Sequence, residues 1–322
     1  MISKAPDRFH WLQPVAVALV IIGLCLALLL LVRSLADVEL TPLLSLPWLP
    51  LAVMLQLLAS FLFILAWQQW LCLAGNFGFS ESAAHIGVTL LGKYIPGKIW
   101  GLLGRIFLLQ RRNISTQTAV DLLLADQFIT FYTGISLGIS ALLAYFSPGL
   151  GVLAVLASAA LGLLVFGNYG GLLNWAWCKF SVLLRRFGGE FQPADSRISK
   201  HSLGRISIIY SAHWLLTGLV LALLFTPTVE TALPGFYLLV IAAIPLAMLA
   251  GFLALWAPGG VGVREGIIIA VLSLQIDVEL AAVIAICYRL VCVLIDLVVG
   301  ALAFHFFAGK GAGLLQGGEQ AG

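Results

Sequence analysis

Long apolar runs separated by short polar connections fill most of the chain. A window of about 19 residues, the length that a helix needs to cross a bilayer, finds several runs that are each long enough for one crossing. They span residues 12–32, 49–73, 119–145, 150–169, 206–225, 236–256 and 280–307. Two further apolar segments, 83–109 and 261–274, contain or directly follow a Pro-Gly pair and are predicted to be broken, re-entrant or half-length helices.

This pattern predicts an all-α integral membrane protein, a polytopic helical bundle with about seven to nine hydrophobic segments. The composition agrees, since 61% of the residues are hydrophobic and only 10% are charged. No polar stretch is long enough for a separate soluble domain. We therefore expect a single transmembrane domain over residues 1–310 and a flexible Gly-rich tail at 311–322.

The cations in the connections predict how the bundle is oriented. Lys and Arg collect before the first run, at Arg111 and Arg112, and in the loop 170–205, so the amino terminus and that loop are expected on the cytoplasmic side. For the amino terminus and Arg112 to lie on one side, the segment 83–109 must enter the membrane and return. The basic loop would also suit anionic lipid head groups, but we favour a role in topology alone, because acidic residues dilute its charge.

The chain shows no pattern typical of metal, cofactor or hydrolytic chemistry. The five cysteines are scattered, and no histidine pair has metal-ligand spacing. No Gly-x-Ser-x-Gly, Walker or dinucleotide-binding motif occurs. The sequence therefore predicts no metal site, no cofactor, no catalytic residue and no nucleic-acid partner, and it favours a protein that is not an enzyme. Several tryptophans near predicted span ends or basic loops are interpreted as interfacial anchors: Trp11, Trp48, Trp67, Trp70, Trp175, Trp177 and Trp214.

Cations surround the first Pro-Gly pair. Lys93 and Lys98 flank Pro96 and Gly97, and Arg105 follows two helical turns after Lys98, on the same face if the segment is helical there. Charge at membrane depth is costly and usually faces a cavity or a partner. These side chains are therefore predicted to form a cationic pocket.

A second Pro-Gly motif repeats this design in the last third of the chain. Pro258, Gly259 and Gly260 end one helix, and Arg264 and Glu265 lead into the next. A broken helix with nearby charge in each half of the chain is typical of transporters built from structural repeats. In such transporters the broken helices meet at the substrate site. The pattern here is compatible with an inverted repeat. A plain loop between two helices is the alternative, which we disfavour because such a loop does not need cations nearby.

Further charges inside the apolar runs are candidates for balancing these cations. Arg289 and Asp296 lie on one helix face and are able to reach each other or the charges of the second motif. A pair that only holds helices together is an equally good interpretation. Asp126 is a candidate counter-ion for the cations of the first motif. Asp126, Glu265, Arg289 and Asp296 are thus predicted to be gating or counter-charge residues.

Two stretches carry a family resemblance: KYIPGKIWG at 93–101, followed by Gly104 and Arg105, and PGGVGVREG at 258–266. In residue type and order they resemble the signature stretches of the lysylphosphatidylglycerol synthase transmembrane-region family. That family includes the flippase half of the bacterial multiple peptide resistance factor and uncharacterised inner-membrane proteins. The resemblance, which covers about residues 52–307, implies a multi-pass helical bundle with re-entrant segments in a bacterial inner membrane. It also implies, in the characterised branch, movement of aminoacylated phosphatidylglycerol between leaflets, and it does not imply synthase activity.

We therefore expect a flippase-like transporter that binds a lipid with an anionic phosphate head group and moves it between leaflets. The predicted substrate-binding residues are Lys93, Pro96, Gly97, Lys98, Arg105, Pro258, Gly259, Gly260 and Arg264. The lipid stays open among phospholipids, aminoacylated phospholipids and polyprenyl-phosphate lipids. One alternative is a non-transporting scaffold or partner of a glycosyltransferase or lipid-modifying enzyme. An intramembrane transferase is less favoured, because paired carboxylates are missing.

Overall fold

The computed structural model describes residues 47–94, 100–168, 171, 199–225, 234–254 and 257–316. Every regular element in these ranges is helical. The elements are α1 Leu49–Ala74, α2 Phe79–Gly92, α3 Trp100–Gln110, α4 Thr116–Phe146, α5 Pro148–Gly167, α6 Lys200–Phe225, α7 Pro234–Leu253, a 3₁₀ turn Pro258–Gly260, α8 Val263–Leu272 and α9 Val278–Gln316. The predicted first run, 12–32, and most of the loop 170–205 lie outside the described residues.

Among the described helices, six are long and apolar enough to cross a membrane: α1, α4, α5, α6, α7 and the first part of α9. The prediction of an all-α, polytopic membrane protein is confirmed. Local sequence sets several helix starts, since Ser115 caps α4 by accepting a hydrogen bond from the Thr118 amide at 3.1 Å, and prolines stand in the first turns of α1 and α5. The last helix runs on to Gln316, into the segment predicted as a tail.

Helices α2 and α3 form a short hairpin. With 14 and 11 residues, they are about 21 and 16 Å long, well below the roughly 30 Å of a bilayer core. Glycines let the two helices pack closely: a Cβ on Gly92 would lie 2.6 Å from the Gly101 amide nitrogen, and one on Gly104 would lie 2.3 Å from a Val88 methyl. The first Pro-Gly segment thus connects two antiparallel half-length helices.

Both ends of this hairpin lie at the same end of the bundle. After α3, the Arg112 guanidinium donates a hydrogen bond to the Asn76 carbonyl at 3.1 Å and forms an ion pair with Glu81 at 3.1 Å. Asn76 lies just before α2 and Glu81 lies in its first turn, so the chain leaves the hairpin where it entered. This is the geometry that re-entrance of the segment 83–109 requires.

Helices α7 and α8 form a second hairpin, which opens toward the opposite end of the bundle. The start of α7 at Gly235 lies against Tyr145 and Gln275, and the Tyr145 hydroxyl donates to the Leu274 carbonyl, just after α8, at 3.2 Å. Tyr145 ends α4, a helix of 31 residues and therefore about 46 Å long, which begins near Arg112. The two hairpins hence open toward opposite ends of α4.

The tips of the two hairpins meet inside the bundle. The Gly259 amide, in the second tip, donates a hydrogen bond to the Lys93 carbonyl, in the first, at 2.8 Å. Helix α8 has only 10 residues, about 15 Å, so its tip reaches roughly half the thickness of a bilayer core. The described tips, Lys93 and Gly259, therefore lie near the middle of the bundle.

We expect single cysteines at Gly75 and Arg111 to react from one side of the membrane and a cysteine at Leu274 to react from the other, because the hairpins open toward opposite ends. All three positions are exposed. The measurement is labelling of each variant, in a cysteine-free background, with a membrane-impermeant maleimide in intact and permeabilised cells. Labelling of Arg111→Cys from the side that labels Leu274→Cys would show that α2 and α3 cross the membrane, and would exclude re-entrance.

Candidate functional site

A cavity of about 100 Å³ lies where the two hairpin tips meet. Its walls come from α1, α2, α6, α7, α8 and α9, and residues near the middle of the long helices, such as Ser60, His213 and Arg289, border it. The cavity is therefore at mid-depth in the bundle. Among its described lining residues the charged ones are Lys93, Arg264, Glu265, Arg289 and Asp296.

Lys93 is joined to α9 by an ion pair. Its ammonium nitrogen lies 2.5 Å from a carboxylate oxygen of Asp296, and both side chains are largely buried. The hydroxyl of the buried Tyr94 donates to the same oxygen at 2.7 Å. The tip of the first hairpin is thus attached to α9 by two contacts to one carboxylate.

Arg289 joins α9 to the second hairpin in the same way. Its Nε lies 3.3 Å from Glu265, and another of its nitrogens donates to the Gly259 carbonyl at 2.8 Å. Glu265 also accepts the Gly262 amide at 2.7 Å, which caps α8. Gly259 has φ of +59°, and a Cβ there would lie 2.9 Å from Arg289 and 3.0 Å from Tyr94, so only glycine fits this junction.

Arg264 is the cation of this site that lacks a partner in the described chain. No described carboxylate lies within ion-pair distance of it, and its buried Nε has no hydrogen-bond partner there. The side chain packs on two glycines: a Cβ on Gly251 would lie 2.5 Å from its Cγ, and one on Gly260 would lie 2.7 Å from its Nε. The sequence therefore makes room for an unpaired guanidinium at the cavity wall.

The described charges of the cavity do not balance. Lys93, Arg264 and Arg289 are opposed only by Glu265 and Asp296, so one positive charge is left over. An unpaired charge away from water is destabilising unless an ion or polar ligand compensates it. Electrostatically, the arrangement suits one anionic group.

Arg105 and Asp126 form a separate buried pair that does not border the cavity. The Nε and one terminal nitrogen of Arg105 are buried without a hydrogen-bond partner among the described residues. Their side chains are fully buried and lie 3.0 Å apart. The Arg105 guanidinium stacks over the Trp67 ring at 3.4 Å from the ring centre, and the Tyr210 hydroxyl donates to the other Asp126 oxygen. The cluster of Arg105, Asp126, Tyr210 and Trp67 connects α1, α3, α4 and α6 and has the composition of a structural contact.

The structure thus gathers some of the predicted site residues and separates others. Lys93, Arg264, Glu265, Arg289 and Asp296 come together at the cavity, whereas Gly259 and Gly260 lie behind it at the junction of the tips. The backbone of Pro258 belongs to the adjoining 3₁₀ turn. Pro96, Gly97 and Lys98 lie outside the described residues.

Several residues of the site were not predicted from the sequence. Tyr94 lies inside the first Pro-Gly motif, and this position is the sequence signal that could have identified it. Gln56 and His213 border the cavity, but a single polar residue in an apolar run does not reveal which way it faces. The interpretation of Trp67, Trp70 and Trp214 as interfacial anchors was wrong, because all three are buried inside the bundle.

Comparison with known families gives one match. The model of the family described as lysylphosphatidylglycerol synthase TM region matches residues 15–300, and this range includes both Pro-Gly motifs and all the charged residues of the cavity. A search of curated proteins finds no match.

Proposed function

We propose that this chain, which belongs to the lysylphosphatidylglycerol synthase TM-region family, binds a lipid with an anionic phosphate head group in the central cavity and moves it between leaflets. The observation that carries the proposal is Arg264, which has no ion-pair partner among the described residues and borders a mid-depth cavity whose described charges leave one positive charge over. Guanidinium groups bind phosphate strongly because their donors form charge-assisted, often bidentate hydrogen bonds. Membership of the family connects the chain with membrane lipids.

The architecture supports movement of the bound group as well as binding. Transporters commonly place the substrate at the interface of inverted repeats, near the bilayer midplane, where broken helices meet. Here each hairpin tip is tied to α9 by one ion pair, Lys93 with Asp296 and Glu265 with Arg289. An anion that competes for Lys93 or Arg289 weakens one of these ion pairs. Ligand binding therefore biases the position of one hairpin relative to α9, which is the differential interaction that a conformational change needs.

The proposal also includes an orientation in the membrane, an activity and a class of partner. The cation-rich connections favour a cytoplasmic amino terminus and a cytoplasmic loop 170–205 in a bacterial inner membrane. The activity is transport without chemical conversion, and the partners are lipids with anionic head groups. A scaffold for a lipid-modifying enzyme is the alternative that the following experiment separates.

Glu265→Gln is expected to slow transbilayer movement several-fold while lipid binding stays at least as tight as in the wild type. Gln keeps an oxygen that accepts the Gly262 amide, but it removes one negative charge, so the cavity becomes more positive and holds an anion longer. The measurement is movement of a fluorescent phosphatidylglycerol in reconstituted vesicles, with equilibrium binding in detergent. Glu81→Gln, in the exposed pair with Arg112, is the matched control.

A scaffold gives a different result in this assay. Wild-type protein would then move no lipid above the rate of protein-free vesicles, and Glu265→Gln would behave like the wild type. That outcome contradicts the transport proposal, whether or not the protein retains a bound lipid.

A further inference from the structure

A second cavity, of about 380 Å³, lies between α1, α2 and α9, and we call it the lateral groove. Its lining is apolar apart from two serines, and its walls include Leu57, Phe61, Phe79, Val299 and Leu302. Phe61 and Phe79 pack against each other with ring centres 5.1 Å apart. Phe61 is 45% exposed and Leu302 is 52% exposed, so the groove opens on the surface of the bundle, where a bilayer surrounds the protein.

On α1 the lateral groove and the central cavity share a residue, Ser60. The cavity residues Gln56 and Phe63 and the groove residues Leu57 and Ile64 lie on adjacent faces of α1, and Ser60 stands between the two faces. The Ser60 hydroxyl donates to the Gln56 carbonyl of its own helix at 3.0 Å. A small side chain with a satisfied hydroxyl therefore stands at the boundary between the two spaces.

The other two helices show the same continuity. On α2, Ala83 lines the groove and Ile86, one turn later, lines the cavity. On α9, Asp296 lines the cavity and Val299, one turn later, lines the groove. Residues three or four apart share a helix face, so the wall passes from an apolar part of the cavity to the groove on α2 and from a charged part of the cavity to the groove on α9.

We propose that the lateral groove holds a hydrocarbon chain of the same lipid whose phosphate group lies against Arg264 in the central cavity. This assignment rests on the proposed function and adds to it the route by which the lipid is held. A soluble anion makes no contact with an apolar groove beside its site. An amphiphile has a charged end that matches the central cavity and an apolar end that matches the lateral groove. The groove thus selects a lipid over a free phosphate compound of equal charge.

Ala83→Phe tests the assignment by filling the groove from α2. Ala83 is only partly buried, so a larger side chain there projects into the groove. The expected result is severalfold weaker binding of long-chain phosphatidylglycerol, because the phenylalanine ring takes the space in which the chain packs. Binding of glycerol 3-phosphate, which has no chain, stays unchanged. Ala157→Phe, on the exposed surface of α5, is the matched control and leaves both affinities unchanged.

Photolabelling of the wild-type protein gives an independent test that does not depend on a variant folding. The probe is phosphatidylglycerol with a diazirine on one acyl chain, in phosphatidylcholine vesicles, and the adducts are mapped by mass spectrometry. We expect adducts concentrated on α1, α2 and α9 at groove residues such as Phe61, Phe79 and Leu302. Adducts spread evenly over the exposed side chains of α4 and α5, or placed on the apolar run 12–32 instead of the groove, would overturn the assignment.

The variants also separate the two proposals. If Ala83→Phe binds long-chain lipid like the wild type while Arg264→Met loses affinity for both ligands, the groove assignment fails and the proposed function stands. If Arg264→Met binds both ligands like the wild type, the proposed function itself fails.

Discussion

Replacing Arg264 by methionine is expected to weaken binding of an anionic phospholipid about 10- to 100-fold. Hydrogen bonds to a charged group contribute about 1.5–3 kcal/mol, which corresponds to this range of affinity. Methionine keeps an apolar stem against Gly251 and Gly260, so the change removes the guanidinium without emptying its place. The measurement is equilibrium binding of a fluorescent phosphatidylglycerol to the purified protein.

Two controls show whether the loss of affinity arises in the cavity and whether it depends on the shape of the guanidinium group. Arg264→Lys keeps the charge but lacks the planar fork of donors, so it should fall between wild type and Arg264→Met. Arg111→Met removes an exposed cation from the end of the bundle and should leave the affinity unchanged. Equal losses in Arg264→Met and Arg111→Met would mean that only general surface charge attracts the lipid.

The second large effect concerns stability, because the fully buried pair of Arg105 and Asp126 is expected to hold four helices together. Asp126→Asn should lower the free energy of unfolding by about 3–5 kcal/mol, since it leaves a buried guanidinium without its counter-charge. The measurement is thermal unfolding in detergent. Replacing both partners, by Arg105→Met with Asp126→Leu, should recover most of the loss, because no uncompensated charge then remains.

The exposed pair of Arg112 and Glu81 provides the comparison, with side chains that are 50% and 33% exposed. Exposed ion pairs contribute at most about 1 kcal/mol, so Glu81→Gln should change the unfolding temperature little. An Asp126→Asn protein that unfolds like the wild type but no longer moves lipid would contradict the structural role. Arg105 would then be a head-group contact, as the sequence alone suggested.

The sequence predicted the spans that fall within the described residues, and the interruption of the helices near 93–99 and 258–262, because both depend on local properties. Length and apolar composition decide which helices can cross, and a Pro-Gly pair inside an apolar run disfavours a continuous helix. Most of the charged residues that line the cavity were also predicted from the sequence, since cations such as Lys93, Arg264 and Arg289 are energetically costly at membrane depth and need partners. Their pairing was not visible, because Arg289 and Asp296 share a helix face and yet each contacts a different hairpin.

Arg105 shows why the contacts of individual side chains were not predictable from the sequence. Its distance of two helical turns from Lys98 suggested one shared pocket, but that spacing holds only within a continuous helix. In the structure Arg105 turns toward α4 and Trp67, away from the cavity that Lys93 borders, and Lys98 lies outside the described residues. The lateral groove was equally hidden, because a helix that faces lipid and a helix that lines an apolar groove have the same composition.

Mass spectrometry of the lipid that remains bound to the purified protein tests directly whether the cavity holds an anionic lipid head group. We expect wild-type protein to retain a lipid with an anionic phosphate head group above its proportion in the membrane, and Arg264→Met to retain none above background. Wild-type protein without an enriched anionic lipid, or equal retention by Arg264→Met, would contradict this assignment.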